Sequence, residues 1–235
     1  MVICIVITQQ TVMSLKNTQQ VQPLKILIAE DHYLVRKVTR QVVQTYYPAS
    51  VFKETDSIDK LVELVKTEPF DLLILDIFLT DGNSISVLPE LIQIAGSTMG
   101  VLFFTMCREE TYAKRLLQLG AHGFLNKKAD EQEIREALQK ILSGRKYISP
   151  VMQRKFAEEL VSGRKANPFE ELTNKEFEVM LYLLQGHSLN DIADVVHVSV
   201  STISSHKKRM FDRLGISSIV ELSTLAAIHG IVSGS

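Results

Sequence analysis

The chain lacks the features that mark several large classes of protein. Its two cysteines, Cys4 and Cys107, lie far apart without a CxxC or Cys/His ligand spacing, so neither a disulfide framework nor a zinc site is predicted. Neither sign of charge is in excess, because 26 basic and 27 acidic residues give a net charge of −1. Any nucleic-acid surface must therefore be local. No apolar run reaches the roughly 20 residues that a membrane span needs. These absences favour a soluble protein of the reducing cytoplasm.

The length and the apolar content predict two domains. A chain of 235 residues, 46% of them hydrophobic, can bury a sizeable core and exceeds the usual size of one domain. The N-terminal run MVICIVI has no basic residues before it and is too short for a membrane anchor. Residues 1–22, rich in Gln and Thr after this run, are therefore predicted to be a disordered leader, and Met13 is an alternative start.

Five short apolar runs alternate with stretches of helical periodicity between residues 23 and 145. The runs are LKILIA, SVFKE, DLLILD, GVLFFT and HGFLN. Continuous apolar runs are typical of strands buried on both faces, so we expect an α/β fold with a doubly wound, five-stranded parallel sheet. Residues 146–168 mix a short helical stretch with polar and breaker residues and are predicted to be a linker. Residues 169–235 contain no strand-like run and are predicted to form a small all-α domain.

Charged and hydroxyl side chains follow four of the five predicted strands. Glu30 and Asp31 follow the first, Asp76 the third, Thr105 ends the fourth and Lys127 follows the fifth. Because the carboxyl ends of parallel strands meet at one edge, we expect these groups to share a rim. Clustered carboxylates need a compensating cation, and oxygen ligands suit Mg²⁺. Asp76 is then a candidate nucleophile for a phosphoryl group, with Mg²⁺ and Lys127 neutralising its oxygens and Thr105 bonding one of them.

These residues resemble the receiver domain of response regulators. The resemblance rests on EDH, LLILD, FFTM and GAHGFLNK at successive strand ends, and it covers about residues 23–145. It implies a flavodoxin-like fold and a set of metal ligands: Glu30, Asp31, Asp76 and the backbone carbonyl of Phe78. It also implies that Asp76 is the phosphoacceptor, that Thr105 and Phe124 are the switch hydroxyl and switch aromatic, and that Lys127 contacts the phosphate. Without the resemblance, Phe124 is interpreted as ordinary core.

The loop after the predicted phosphoacceptor departs from the family in two places. Thr80 stands where the family usually has Pro, and Ser84 stands where it often has Gly. These changes leave the chemical groups of the site in place but predict a different loop geometry. They keep open the hypothesis of an atypical regulator that binds DNA without phosphorylation.

The C-terminal part carries the pattern of a helix-turn-helix. The spacing of Thr173 and Glu176 predicts a capping box, and helices are predicted over residues 173–186, 189–195 and 200–214, with Ser199 capping the third. One face of the third helix is predicted to pack through Ile203, His206, Met210 and Leu214, with His206 as a core histidine. The other face is predicted to be exposed through Ser201, Ser204, Ser205, Lys208 and Asp212. We interpret this exposed basic face as that of a helix whose start enters the major groove of DNA. This interpretation is favoured over the alternative, a core helix with a solvated basic face.

The stretch from LTNKEFEVMLYLLQGHSLNDIADVVHVSV to STISSHKKRMFDRLGI resembles the DNA-binding domain of the LuxR type. It spans about residues 169–235, and a receiver followed by such a domain makes the NarL/FixJ class of response regulators. The resemblance implies base contacts by Ser204, Ser205 and Lys208. It implies phosphate contacts by Thr202, Lys207 and Arg209. The last predicted helix, residues 218–229, is apolar enough for dimerisation, although core packing alone is an equal alternative.

The sequence therefore predicts a two-component response regulator and DNA-binding transcription regulator. The resemblance implies phosphorylation of Asp76 by a partner histidine kinase with Mg²⁺, double-stranded promoter DNA as a second partner and a homodimer as the active form. The chain would accept the phosphoryl group rather than act as an enzyme with turnover. An aspartyl-phosphate hydrolase is the alternative enzyme, but it would need a second acid where Phe78 stands.

Overall fold

The structure, a computed structural model, describes residues 23–162 and 167–231. The predicted leader, residues 1–22, lies outside the described residues, as do residues 163–166 and 232–235. Within the described part, no helix is both long and apolar enough to cross a membrane.

The first part of the chain is an alternating β/α domain. Its strands are β1 (Lys25–Ala29), β2 (Val51–Thr55), β3 (Leu72–Leu75), β4 (Gly100–Thr105) and β5 (Gly123–Asn126). Its helices are α1 (Tyr33–Tyr46), α2 (Ile58–Thr67), α3 (Leu88–Ala95), α4 (Glu109–Gln118) and α5 (Glu131–Leu142). A 3₁₀ turn, Gly96–Thr98, follows α3, and a two-stranded hairpin, Phe78–Leu79 with Gly82–Asn83, follows β3.

The five strands form one parallel sheet in the order β2-β1-β3-β4-β5. Side chains alternate between its faces: Ile26 and Ile28 pack with α1 and α5, whereas Leu27 and Ala29 pack on the side of α2, α3 and α4. The predicted fold class is therefore confirmed. The register sets Ala29 beside Leu75, so the loops after β1 and β3 leave the sheet side by side.

The second part of the chain is helical. It contains α6 (Pro150–Ser162), a 3₁₀ turn (Pro168–Glu171), α7 (Asn174–Leu184), α8 (Leu189–Val196), α9 (Val200–Leu214) and α10 (Ile219–Ile228). Helix α6 fills most of the predicted linker. The boundaries at residues 145 and 168 remain predictions, although Tyr147 is buried and bridges to Gly123 at the sheet edge.

Local signals in the sequence explain where the C-terminal helices begin and end. Thr173 and Glu176 form the capping box at the start of α7. The Ser199 hydroxyl accepts from the Thr202 amide at the start of α9, and Gly215 ends that helix in the left-handed conformation. His197 is also left-handed and provides the tight turn between α8 and α9. This arrangement is a helix-turn-helix, with α9 as its second helix.

Candidate functional site

The structure brings the five predicted strand-end residues to one rim. The amides that follow the strands hold neighbouring loops together: Asp76 donates to the Ala29 carbonyl at 2.9 Å, and Lys127 donates to the Thr105 carbonyl at 2.8 Å. Glu30 is buried, whereas Asp31 remains partly open to solvent. The rim forms because the polar residues come directly after buried strands whose register is fixed.

Lys127 is the electrostatic centre of this rim. Its ammonium lies 2.5 Å from the Asp76 Oδ2 atom and also pairs with Glu30, and the side chains of Lys127 and Asp76 are only 9% and 11% exposed. Burial alone would lower the pKa of Lys127, but the charges and hydrogen bonds of the two carboxylates outweigh it and raise that pKa. Burial raises the pKa of Glu30, and its hydrogen bond from Lys127 opposes the rise. Lys127 therefore stays charged and holds two acids together.

The donor set at the rim fits a hard divalent cation. Glu30, Asp31 and Asp76 provide three carboxylates against the single ammonium of Lys127. The ligand atoms of Glu30, Asp31 and His32 also lie within 4.8 Å of one another. Oxygen ligands and an excess of negative charge are what Mg²⁺ requires. The Nδ1 atom of His32, which was not among the predicted site residues, lies 2.6 Å from Asp31 Oδ1. Its position directly after the acidic pair is the only sequence signal for this residue.

The loop after β3 fixes the backbone around Asp76. The second carboxylate oxygen of Asp76 accepts from the Ile77 amide at 2.6 Å, and the Ser84 hydroxyl donates to the Asp76 carbonyl at 2.6 Å. Thr80 bonds twice to the Asp56 carbonyl, through its amide and its hydroxyl. Thr80 and Ser84 are the two departures from the family pattern. Both thus form hydrogen bonds that organise this loop.

Thr105 ends β4 at the rim, and Phe124 lies on the neighbouring strand β5. Both are about 1% exposed, and the Thr105 hydroxyl accepts from the Cys107 amide at 3.3 Å. Phe124 pairs with Phe103 across β4 and β5. Their positions are compatible with a switch pair and with ordinary core packing, so their predicted switch roles remain predictions.

A cavity of about 860 Å³ extends from the rim between α1 and α5. Asp31, Asp76 and Lys127 line its polar end, and apolar side chains of the two helices and the sheet line the remainder. Gln185, which follows α7, lines the same cavity. Asp76 can therefore be reached from outside, and the helical part of the chain stands beside the entrance.

The predicted recognition face of α9 is exposed. Ser204, Ser205 and Lys208 are all open to solvent, while Ile203 and Met210 are buried on the opposite side. The Thr202 hydroxyl is engaged by Ser199, and the Lys207 ammonium lies 5.3 Å from the centre of the Phe211 ring. The helix thus presents small hydroxyls near its start and cations beyond them.

Two side chains on α9 differ from their predicted environments. His206 was expected in the core but is half-buried, and it contacts the Arg209 guanidinium at 3.0 Å. Beyond His206, Arg209 reaches toward the buried Glu176 carboxylate of α7 at 3.6 Å. Arg209 is therefore shared between an internal ion pair and the surface where a phosphate contact was predicted.

Helix α7 of the helical part contacts the α/β domain at α4 and at the loop after Asp76. Tyr112 of α4 meets Phe177 edge-on with ring centres 5.8 Å apart, and a Cβ atom at Gly82, in the loop after Asp76, would lie 3.1 Å from the Tyr182 hydroxyl. The Arg115 guanidinium lies 4.3 Å from the centre of the Phe177 ring. It donates to the carbonyls of Phe169 and Leu172 and to the Asn174 side chain at 2.7–2.9 Å. No sequence pattern predicted this contact.

The chain joins a doubly wound domain with an acidic rim to a helix-turn-helix with an exposed recognition face. This combination defines a DNA-binding regulator with a receiver domain. Two family models match the chain: the response regulator receiver domain over residues 26–139, and bacterial regulatory proteins of the luxR family over residues 170–226. The match is consistent with the order of the two parts along the chain.

Curated relatives match the chain over nearly their whole length. The chain is 31% identical to the Fimbriae Z protein of Escherichia coli K12 over 211 residues, which is 90% of this chain and 100% of that protein. It is 29% identical to the response regulator UvrY of the same strain, covering 88% of this chain and 95% of UvrY. The chain belongs to the response regulators of the NarL/FixJ class, in which a receiver precedes a LuxR-type DNA-binding domain.

Solved structures confirm the fold. The chain resembles RcsB from Salmonella enterica serovar Typhimurium, solved bound to the promoter rprA with the phosphomimetic BeF₃⁻. The TM-score is 0.69 at 20% identity, over 87% of this chain and 98% of the RcsB chain. By its family, the protein is a response regulator and DNA-binding transcription regulator.

Proposed function

We propose that Asp76 accepts a phosphoryl group from a partner histidine kinase in the presence of Mg²⁺, and that this modification controls promoter binding by the C-terminal domain. The observation that carries the proposal is the buried pair between Asp76 and Lys127 at 2.5 Å, within a rim that is negative overall. Because the second proposed partner is DNA, we propose that the protein acts in the cytoplasm.

The residues of the rim divide the work of phosphoryl transfer. An Asp76 oxygen attacks phosphorus, and the phosphorus–nitrogen bond of the donor phosphohistidine breaks with its electron pair returning to the imidazole. Glu30, Asp31, Asp76 and the Phe78 carbonyl are the proposed ligands of Mg²⁺, which supplies charge neutralisation when bound. Lys127 is already charged beside Asp76 and can follow the phosphoryl oxygens, and Thr105 is the proposed donor to one of them.

Position 78 argues against an enzyme with turnover. A hydrolase that uses an aspartate nucleophile needs a second acid to activate water, and Phe78 offers no such group. The chain is therefore proposed to hold its phosphoryl group and to lose it slowly.

The proposed active form is a homodimer on double-stranded DNA. Of the apolar residues on α10, Leu222 and Ala226 are buried, whereas Ile219, Val220 and Ile228 are exposed. Packing in the core of the C-terminal domain explains the apolar character of Leu222 and Ala226 only. The exposure of Ile219, Val220 and Ile228 leaves apolar surface on α10, which supports dimerisation through this helix.

A second candidate function is DNA binding that does not depend on phosphorylation. The observation that favours it is the exposure of Ser204, Ser205 and Lys208 while the receiver remains packed against α7. In this arrangement the recognition face needs no uncovering.

One experiment separates the two candidates. Bound DNA is selected from a random pool by the wild-type protein and by Asp76→Asn, each with and without a small acyl-phosphate donor and Mg²⁺. Under the first proposal, the donor labels only the wild type and increases its DNA binding alone. Equal labelling of Asp76→Asn would refute the site assignment, and labelling without any change in DNA binding would favour the second candidate.

A further inference from the structure

Ser84 occupies an unusual place beside the phosphoacceptor. Its side chain is fully buried, and its hydroxyl donates to the Asp76 carbonyl at 2.6 Å, with the Ile77 carbonyl farther away at 3.3 Å. Its amide donates to the Ile77 carbonyl at 2.8 Å. Ser84 therefore bonds to the carbonyls of Asp76 and Ile77, the two residues that follow β3.

These bonds hold the Asp76 peptide from two directions. On one side the Asp76 amide donates to the Ala29 carbonyl of β1 at 2.9 Å, which fixes it to the sheet. On the other side the Ser84 hydroxyl holds its carbonyl. The direction in which the Asp76 carboxylate leaves the backbone is thus set by β1 and by Ser84 together.

The same bonds close the hairpin that contains Phe78. The hairpin pairs Phe78 with Asn83 and Leu79 with Gly82, and Ser84 follows it directly. The Asp76 carboxylate and the Phe78 carbonyl, two of the proposed metal ligands, therefore both belong to the loop that Ser84 closes. A buried hydroxyl needs a hydrogen-bond partner wherever it lies, but here the partner is the peptide of the phosphoacceptor itself.

We propose that Ser84 is a positioning residue that fixes the Asp76 carboxylate and the Phe78 carbonyl in the geometry used for Mg²⁺ and phosphoryl binding. This inference rests on the proposed function of Asp76. A glycine at this position could close the hairpin through its amide, but it could not hold the Asp76 carbonyl. The serine therefore restrains the loop through the hydrogen bond from its hydroxyl to the Asp76 carbonyl.

The test compares Ser84→Ala and Ser84→Gly with the wild type, and it uses Ser86→Ala as a matched control. Ser86 lies in the same loop, and its hydroxyl donates to the Asn83 carbonyl at 2.8 Å, so its loss removes a similar bond that does not involve Asp76. Titration with Mg²⁺ alone gives the metal affinity, and a small acyl-phosphate donor gives the labelling rate. Amide exchange of Ile77 and Phe78 reports the order of the backbone.

The expected changes are specific to position 84. Losing one neutral hydrogen bond of the usual net weight should weaken Mg²⁺ binding about fivefold and slow labelling by a similar factor. Exchange at Ile77 and Phe78 should rise in both variants at temperatures well below their unfolding midpoints. Ser86→Ala should match the wild type in all three measurements.

Two results would overturn the inference. One is a Ser84→Ala or Ser84→Gly protein with lower thermal stability but unchanged Mg²⁺ affinity, which would make Ser84 a structural residue only. The other is an equal loss of Mg²⁺ affinity in Ser86→Ala. Failure of the proposed function looks different, because Asp76→Asn would then label as well as the wild type, while Mg²⁺ titration and amide exchange would still report on Ser84.

Discussion

Replacing Arg115 by methionine should loosen the DNA-binding domain from the receiver. Methionine keeps an unbranched apolar chain on α4 but removes the guanidinium, which lies over Phe177 and donates to the carbonyls of Phe169 and Leu172. These contacts join α4 to the start of the helical part. The change therefore removes the guanidinium contacts but leaves other polar contacts in place, such as the Lys114–Glu170 ion pair and the hydrogen bond from Thr111 to the His229 carbonyl.

The magnitude follows from the lost contacts and from the cost of burying the charge. A cation–π contact contributes about 0.5–2 kcal/mol, and each hydrogen bond from a charged donor contributes about 1.5–3 kcal/mol. Burial lowers the pKa of Arg115 to about 10, so desolvation offsets part of this gain although the group stays charged at neutral pH. We expect a net loss of about 2–4 kcal/mol, which raises the fraction of separated domains about 30- to 700-fold.

Calorimetric unfolding measures this effect. Coupled domains unfold together, so the wild type should give one transition, whereas Arg115→Met should show an earlier transition for the C-terminal domain. Arg145→Met is the matched control, because Arg145 is exposed and its side chain bonds only to Ser143 among the described contacts. A single, unshifted transition in Arg115→Met would refute the assignment of Arg115 as the tie between the domains.

Three further predictions concern separate parts of the chain. Lys207→Met should weaken DNA binding and reduce the slope of log affinity against log salt by about 0.9, as measured by anisotropy; an unchanged slope would exclude a phosphate contact. Burial lowers the pKa of His122, so the unfolded chain gains its proton first and stability should fall with pH from 6.5 down to the folded pKa. His122→Gln should reduce the dependence of the urea midpoint on pH over that window, and an unaltered pH profile would contradict this. Gly100→Ala would put a Cβ 2.5 Å from Ile141 Cγ2 and should cost about 1–3 kcal/mol. Adding Ile141→Leu should recover part of that loss in denaturant unfolding, and full stability of Gly100→Ala alone would contradict the packing.

Local signals made most of the fold predictable. The apolar runs LKILIA, DLLILD and GVLFFT predict strands because continuous apolar residues are what a sheet covered on both faces requires, and four or more residues of each strand are buried. The capping residues Thr173 and Ser199 and the stop at Gly215 depend only on neighbours within one helical turn. The rim was predictable for a related reason, since parallel strands necessarily bring their carboxyl ends to one edge.

Contacts between distant segments were not predictable from patterns. His206 shares a 3.6-residue stripe with Ile203 and Met210, but the stripe does not reveal which of its positions the rest of the domain covers. Arg115 resembles any exposed cation near the end of a helix until Phe177, 62 positions later, is placed beneath it. Ser84 was visible as a departure from the family, yet its hydrogen bond to Asp76 requires the closed hairpin.

The two contacts of α7 give the proposed coupling a thermodynamic consequence. Helix α7 meets α4, which follows Thr105, and it meets the loop after Asp76 at Gly82, so both contacts are with segments that follow residues of the rim. If a phosphoryl mimic at Asp76 favours separation of the domains, separation must favour binding of that mimic by the same factor. Arg115→Met should then bind beryllofluoride more tightly than the wild type in the presence of Mg²⁺, up to the limit at which the separated form predominates. Unchanged beryllofluoride affinity in a variant whose domains unfold separately would show that the interface ties the domains together without reporting on Asp76.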